Sequence, residues 1–261
     1  MPRRPPCGAK LAGPDLRALR YAVFPIFPMR HVTHASSRKL LRGDPHEQGT
    51  AFIISPDGIF LTARHVVDHD DADKLSIAAF NIKSRRYAFC AVKTLETHAQ
   101  FDVAIGSIGP PNERELWPHK LALGGSSIAP GAAIYVYGFQ GTRIEERELP
   151  ATSELGLGLA YFNALCPGTV TDYYPNGITL GKEPAYAHTA DTLSGISGGP
   201  FIRKRTMAVH GVTRSGEKCF GVATDVRAIL NDWAYRVSRW LHDPRVRTRA
   251  IEQYRDPMNA R

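Results

Sequence analysis

Apolar residues in this chain fall into short runs, either alternating with polar ones or in unbroken blocks of a few residues, each bounded by turn formers. Ala51–Ile54 and Ile59–Thr62 are two such blocks, joined by Ser55-Pro56-Asp57-Gly58, a hairpin connection with turn residues where a tight turn needs them. Further strands are predicted over Leu75–Asn81, Arg86–Thr94 and Val103–Ile108. Gly109-Pro110-Pro111 opens a turn-rich linker, after which Ala133–Tyr137, Thr169–Tyr173, Ala185–Thr189, Pro200–Ile202 and Met207–Thr213 read as a second set. Gln140 to Gly168 reads as a long connection, and connections of that length are usually functional or mobile. The period then changes. Val226, Ile229, Leu230, Trp233, Val237, Trp240 and Leu241 follow helical spacing, with Thr224 or Asp225 as N-cap and Pro244 as stop. Many short strands and one terminal helix predict an all-β fold, two packed barrels or a sandwich.

Four segments follow from this pattern: a basic, Pro-rich extension over 1–20, strand-rich units over 21–120 and 121–225, and a helix with a basic tail over 226–261. A composition of 43% hydrophobic and 22% charged residues is that of an ordinary globular chain, long enough to bury a core without metals or disulfides. The net charge of +8 sits largely at the ends, in Arg3, Arg4, Lys10, Arg245, Arg247 and Arg249. It reads as a solvated surface or as attraction to an acidic partner protein; nothing else in the sequence favours nucleic acid. Cys7, Cys90, Cys166 and Cys219 lack metal-site spacing and read as free thiols in a reducing compartment. The apolar stretch from Tyr21 to Phe27 is short and contains Pro25, a poor secretion signal and no membrane span. A cytoplasmic location, with no membrane contact, is therefore the expectation, and no cofactor or metal is called for.

The chemistry concentrates in Gly195-Ile196-Ser197-Gly198-Gly199-Pro200. A serine hydroxyl is a weak nucleophile until a base removes its proton and donors hold the oxyanion that forms. Glycines on either side let the backbone turn sharply and aim N–H groups at one point. A plain glycine-rich turn would look the same in isolation. A base is available in His65, which follows the apolar strand ending Leu61-Thr62-Ala63-Arg64, and an orienting carboxylate in Asp102, which opens Asp102-Val103-Ala104-Ile105. Each signal has a bland counterpart, a surface histidine among 10 or a strand-start cap. Together they occur in the order His, Asp, Ser, which is that of the chymotrypsin arrangement.

Residues 49–67, Phe101–Ile105, Ala129–Gly138, Thr189–Pro200 and Ala208–Thr213 resemble the corresponding segments of bacterial trypsin-like peptidases, including the catalytic domain of the Deg/Htr type. The resemblance spans about 21–225 and implies two six-stranded Greek-key barrels with the site between them. It implies His65 as general base, Asp102 as its orienter, Ser197 as nucleophile and the N–H groups of Gly195 and Ser197 as oxyanion hole. It also implies that Gly211-Val212-Thr213 pairs with an extended peptide substrate. Asp191, six residues before Ser197, is either the base of a pocket for Arg or Lys or a structural aspartate of the bacterial branch. Ile196 stands where relatives activated by cleavage carry an acidic residue, so zymogen cleavage is not the expected switch, and no PDZ module is expected after residue 225. The resulting expectation is a serine endopeptidase, with a latent or inactive peptide-binding scaffold as the alternative. Control by a regulatory partner acting through Gln140–Gly168 is a further expectation.

Overall fold

The computed structural model describes residues 19–33, 39–43 and 49–229, except 57, 69–73, 84–85, 109–118, 149–154, 179–180 and 218–219. The extension up to residue 18 and the C-terminal helix beyond residue 229 lie outside the described residues, as do Cys7 and Cys219.

The first half forms seven antiparallel strands: β1 (Val23–Thr33), β2 (Lys39–Gly43), β3 (Gly49–Ile53), β4 (Ile59–Thr62), β5 (Lys74–Lys83), β6 (Arg86–Thr97) and β7 (Ala104–Ile108). Their order is β2-β1-β3-β4-β7-β6-β5, and β1 also pairs with β5, so that the sheet closes on itself. The predicted hairpin between β3 and β4 is present. The Gly58 N–H donates to the Ser55 carbonyl across the turn, and Gly58 takes the left-handed φ of 84°.

The second half is a closed barrel of β8 (Ala133–Glu148), β9 (Leu155–Tyr174), β10 (Ala185–His188), β11 (Pro200–Arg203), β12 (Val209–Glu217) and β13 (Phe220–Asp225), in the order β10-β13-β12-β11-β8-β9. Gln140–Gly168, expected as a long connection, is mostly strand. β8 and β9 run past the barrel as a two-stranded arm whose register continues to Glu148 opposite Leu155. The reason is local. Ile144 of β8 stands opposite Leu159 of β9, and the pairing satisfies the backbone groups that each strand turns toward the other.

β3 and β4 are buried on both faces because they stand between two cores. One face, with Ala51, Ile53 and Phe60, fills the first barrel beside Phe24, Ile26 and Val66. The other, with Phe52 and Leu61, packs on Tyr137, Phe139, Ile202, Val209 and Val212 of the second barrel. A third core inside the second barrel holds Val136, Cys166, Tyr186 and Phe201. At the end of β13 the Asp225 carboxylate accepts from the Arg227 N–H at 2.9 Å, which identifies Asp225 as the cap of the helix that opens at 226.

Candidate active site

His65 lies on a single helical turn, α1 (Arg64–Val67), directly after β4. Val66 and Val67 anchor that turn in the first core, while half of the His65 side chain stays exposed. Asp102 belongs to a tight loop between β6 and β7. There the His98 ring stacks on Phe101 at 4.2 Å, and its Nδ1 accepts the N–H groups of Gln100 and Phe101. Arg64 ties the two pieces together, donating to the His98 carbonyl and pairing with Asp68 at 2.6 Å. Held this way, Asp102 meets His65 twice. Its Oδ1 accepts the His65 backbone N–H at 3.0 Å and its Oδ2 lies 2.8 Å from the ring Nδ1. This fixes the proton on Nδ1 and leaves Nε2 as the basic nitrogen.

Arg214 completes this half of the site. Its guanidinium lies 3.5 Å from Asp102 and forms an ion pair at 2.5 Å with the buried Glu183. Burial alone would raise the Asp102 pKa. The hydrogen bonds and charge of His65, with the Arg214 charge added, outweigh it and hold the carboxyl below its usual range. An open cleft of about 420 Å3 borders His65, Asp102, Glu183 and Arg214.

Ser197 sits between two residues in left-handed conformation, Gly195 (φ 95°) and Gly198 (φ 85°). A side chain on Gly195 would meet the Phe139 carbonyl, and one on Gly198 the Thr50 carbonyl, so both positions need glycine for space as well as for φ. The Ile196 N–H closes a turn onto the Leu193 carbonyl at 3.2 Å. The N–H groups of Gly195 and Ser197 have no acceptor among the described residues. The loop is fastened to the first barrel by Thr50 of β3. Its N–H donates to the Ser197 carbonyl, and its hydroxyl donates to the Gly195 carbonyl, both at 2.7 Å, while accepting the Phe139 N–H at 3.0 Å.

The Ser197 hydroxyl donates to the Arg214 carbonyl at 2.9 Å; no hydrogen bond joins it to His65. Asp191 is exposed. Gly211, Val212 and Thr213 do not present the substrate-pairing edge expected of them. Gly211 and Val212 pair with β11 on one side and β13 on the other, and Thr213 exchanges backbone bonds with Gly198 and Gly199. Among the described residues, β12 beyond the bulge after Thr213 is paired only with β13. Arg214, Glu183, Thr50 and His98 were not singled out by the sequence. Glu183 meets Arg214 across 31 residues of chain and Thr50 meets Gly195 across 145, so no local motif marks them, while His98 acts within its own loop on Gln100 and Phe101.

A family model described as a trypsin-like peptidase domain matches residues 49–212. Among solved structures, the Rv3671c protease of M. tuberculosis in its active form superposes with a TM-score of 0.57 at 20% identity, covering 86% of this chain and 84% of that one. Deg5 superposes with a TM-score of 0.58 at 17% identity, covering 83% and 89%. Both likenesses concern the fold. No match was found among curated proteins.

Proposed function

From the chain's membership of the trypsin-like peptidase family, to which the match over residues 49–212 assigns it, we propose that it is a serine endopeptidase working through His65, Asp102 and Ser197. The observation that carries the reading is the pair of hydrogen bonds that Asp102 accepts from His65, which sets the imidazole for proton transfer at Nε2. In the reaction the Ser197 side chain leaves the Arg214 carbonyl by one χ1 step and delivers its proton to Nε2 as its oxygen attacks the scissile carbonyl. The Gly195 and Ser197 N–H groups hold the oxyanion. The imidazolium, stabilised by Asp102, then protonates the leaving amine, and a water molecule repeats the sequence on the acyl-enzyme. Substrate backbone is best accommodated along β12 beyond Thr213, where Ser215 and Gly216 have a strand partner on one side only among the described residues.

A fluorophosphonate probe tests this. We expect labelling of the wild-type chain, none in Ser197→Ala, and a loss of several orders of magnitude in His65→Ala. Labelling that survives Ser197→Ala refutes the assignment. One observation favours the second reading, a latent scaffold: the Ser197 hydroxyl is engaged by Arg214 instead of His65. On that reading the wild-type chain stays unlabelled alone and becomes labelled when a partner is supplied.

A further inference from the structure

Behind the Ser197 loop, three buried polar side chains gather on the inner face of the second barrel, and none has a hydrogen-bond partner for its polar side-chain atoms among the described residues. They are His188 at both ring nitrogens, Thr192 at Oγ1 and Thr213 at Oγ1, with exposures of 0%, 2% and 1%. The strand register brings them together. Gly216 faces Gly221 across β12 and β13, and Gly221 faces His188 across β13 and β10. Residues directly opposite in antiparallel strands present the same face. Thr213, opposite Ala223 of the inner core, lies on that face too. A side chain on Gly216 would run into the Thr192 hydroxyl, and one on Gly221 into the His188 ring. The cluster therefore fills the space above two glycines. It is tied to the nucleophile loop by Thr192, which belongs to that loop, and by Thr213, whose carbonyl accepts the Gly198 N–H at 2.7 Å.

Buried polar atoms left without partners cost stability, and several gathered in one place beside the Ser197 loop call for an explanation. We propose that His188, Thr192 and Thr213 line the slot for the side chain preceding the cleaved bond, and that they select an acidic side chain. This inference rests on the serine endopeptidase reading. Two hydroxyls and an imidazole offer donors to a carboxylate and carry no fixed negative charge to attract a cation. Asp191, the candidate for that charge, is exposed and outside the cluster. Desolvation keeps His188 neutral in the free protein, and a carboxylate entering beside it restores its proton, so the buried anion gains a counter-ion. The titratable groups nearest along this face are engaged elsewhere: Tyr186, two residues before His188, donates to Asp225, and Asp225 pairs with Arg227. On this proposal Thr192, which lies against Gly216, rotates away to admit the side chain.

The test uses peptidyl diphenyl phosphonates identical except for Glu, Gln, Lys or Ala at the position occupying the slot, alongside the plain fluorophosphonate. We expect the Glu probe to label the full chain at least about tenfold faster than the other three. Plain labelling with Gln, Lys or Ala preferred overturns this inference and leaves the peptidase reading standing. Absence of plain labelling strikes at the peptidase reading instead. In that case, the inference is tested by fluorescence polarisation of the same peptide sequences, without the phosphonate, on Ser197→Ala. Tightest binding of the Glu peptide supports the slot, and any other ranking overturns it. The double variant Thr192→Val, Thr213→Val gives an independent reading. Loss of unpartnered hydroxyls should raise Tm while reducing the Glu preference about tenfold, whereas a lowered Tm would make them structural and overturn the proposal.

Discussion

At the scale of single residues, Arg214 carries two roles through different atoms. Its carbonyl receives the Ser197 hydroxyl, while its guanidinium lies between Asp102 and Glu183. Glu183 is 1% exposed and Arg214 12%, so their attraction is little screened by water, and removing one partner strands the other. Arg214→Ala should therefore destabilise the fold by about 3 kcal/mol or more in urea titrations. Adding Glu183→Gln should recover most of the loss, because the amide leaves no buried charge behind. If the double variant is no more stable than the single one, the ion pair is not what Arg214 contributes. The proposed triad stood out in the sequence because each member sits in a short local setting: a strand end, a strand start and a glycine loop. Arg214 was not, because an arginine inside Thr213-Arg214-Ser215-Gly216 looks like any solvated strand residue. Its meaning comes from Glu183, which reaches it from another part of the chain.

At the scale of elements, strand blocks were read where a compact apolar pattern marked them, but β1, β2 and β13 were not among them, although Val23–Ile26 and Gly221–Asp225 are buried. The arm formed by β8 and β9 was missed for the complementary reason. Its repeated Gly and mixed charge carry no burial signature, and its strands are specified by pairing with each other. The arm's root nevertheless bears on the site. The Phe139 N–H donates to Thr50, and the Phe139 carbonyl occupies the space beside Gly195. Shortening the arm by removing 143–160, with Asn-Gly as the new turn, leaves the barrel portion of both strands in place. We expect Tm to change by only a few degrees and fluorophosphonate labelling to slow by about tenfold to a hundredfold, as small displacements of an oxyanion donor do. Unchanged labelling, with and without cell lysate, would remove the arm from any account of regulation.

At the scale of the whole molecule, the two barrels are joined by apolar packing around Phe52, Leu61, Tyr137 and Val209 and by the polar clasp of Thr50. Thr50→Val keeps the shape and leaves the Gly195 carbonyl and the Phe139 N–H without their present partner. A loss of about 1–3 kcal/mol is expected, with kcat falling more than KM rises on any substrate found. The second barrel also makes the fold sensitive to acid. His188 and His210 are buried, and desolvation lowers each to about 4 from the usual 6.5, although for His210 a hydrogen bond to the Ser126 carbonyl partly opposes it. The unfolded chain thus binds protons at these sites before the native one does. Stability is fully present above about pH 6.5 and declines as the pH falls toward 4, with a slope approaching about 1.4 kcal/mol per pH unit for each histidine. Below that range their contribution stops changing, and the depressed Asp102 takes over as its own proton is bound. Urea titrations between pH 7 and 4 should show this decline, and His188→Phe should remove about half of it. An equal slope in that variant would mean that His188 titrates in the native state as it does in water, and that the inner face of the barrel is wetter than its packing implies.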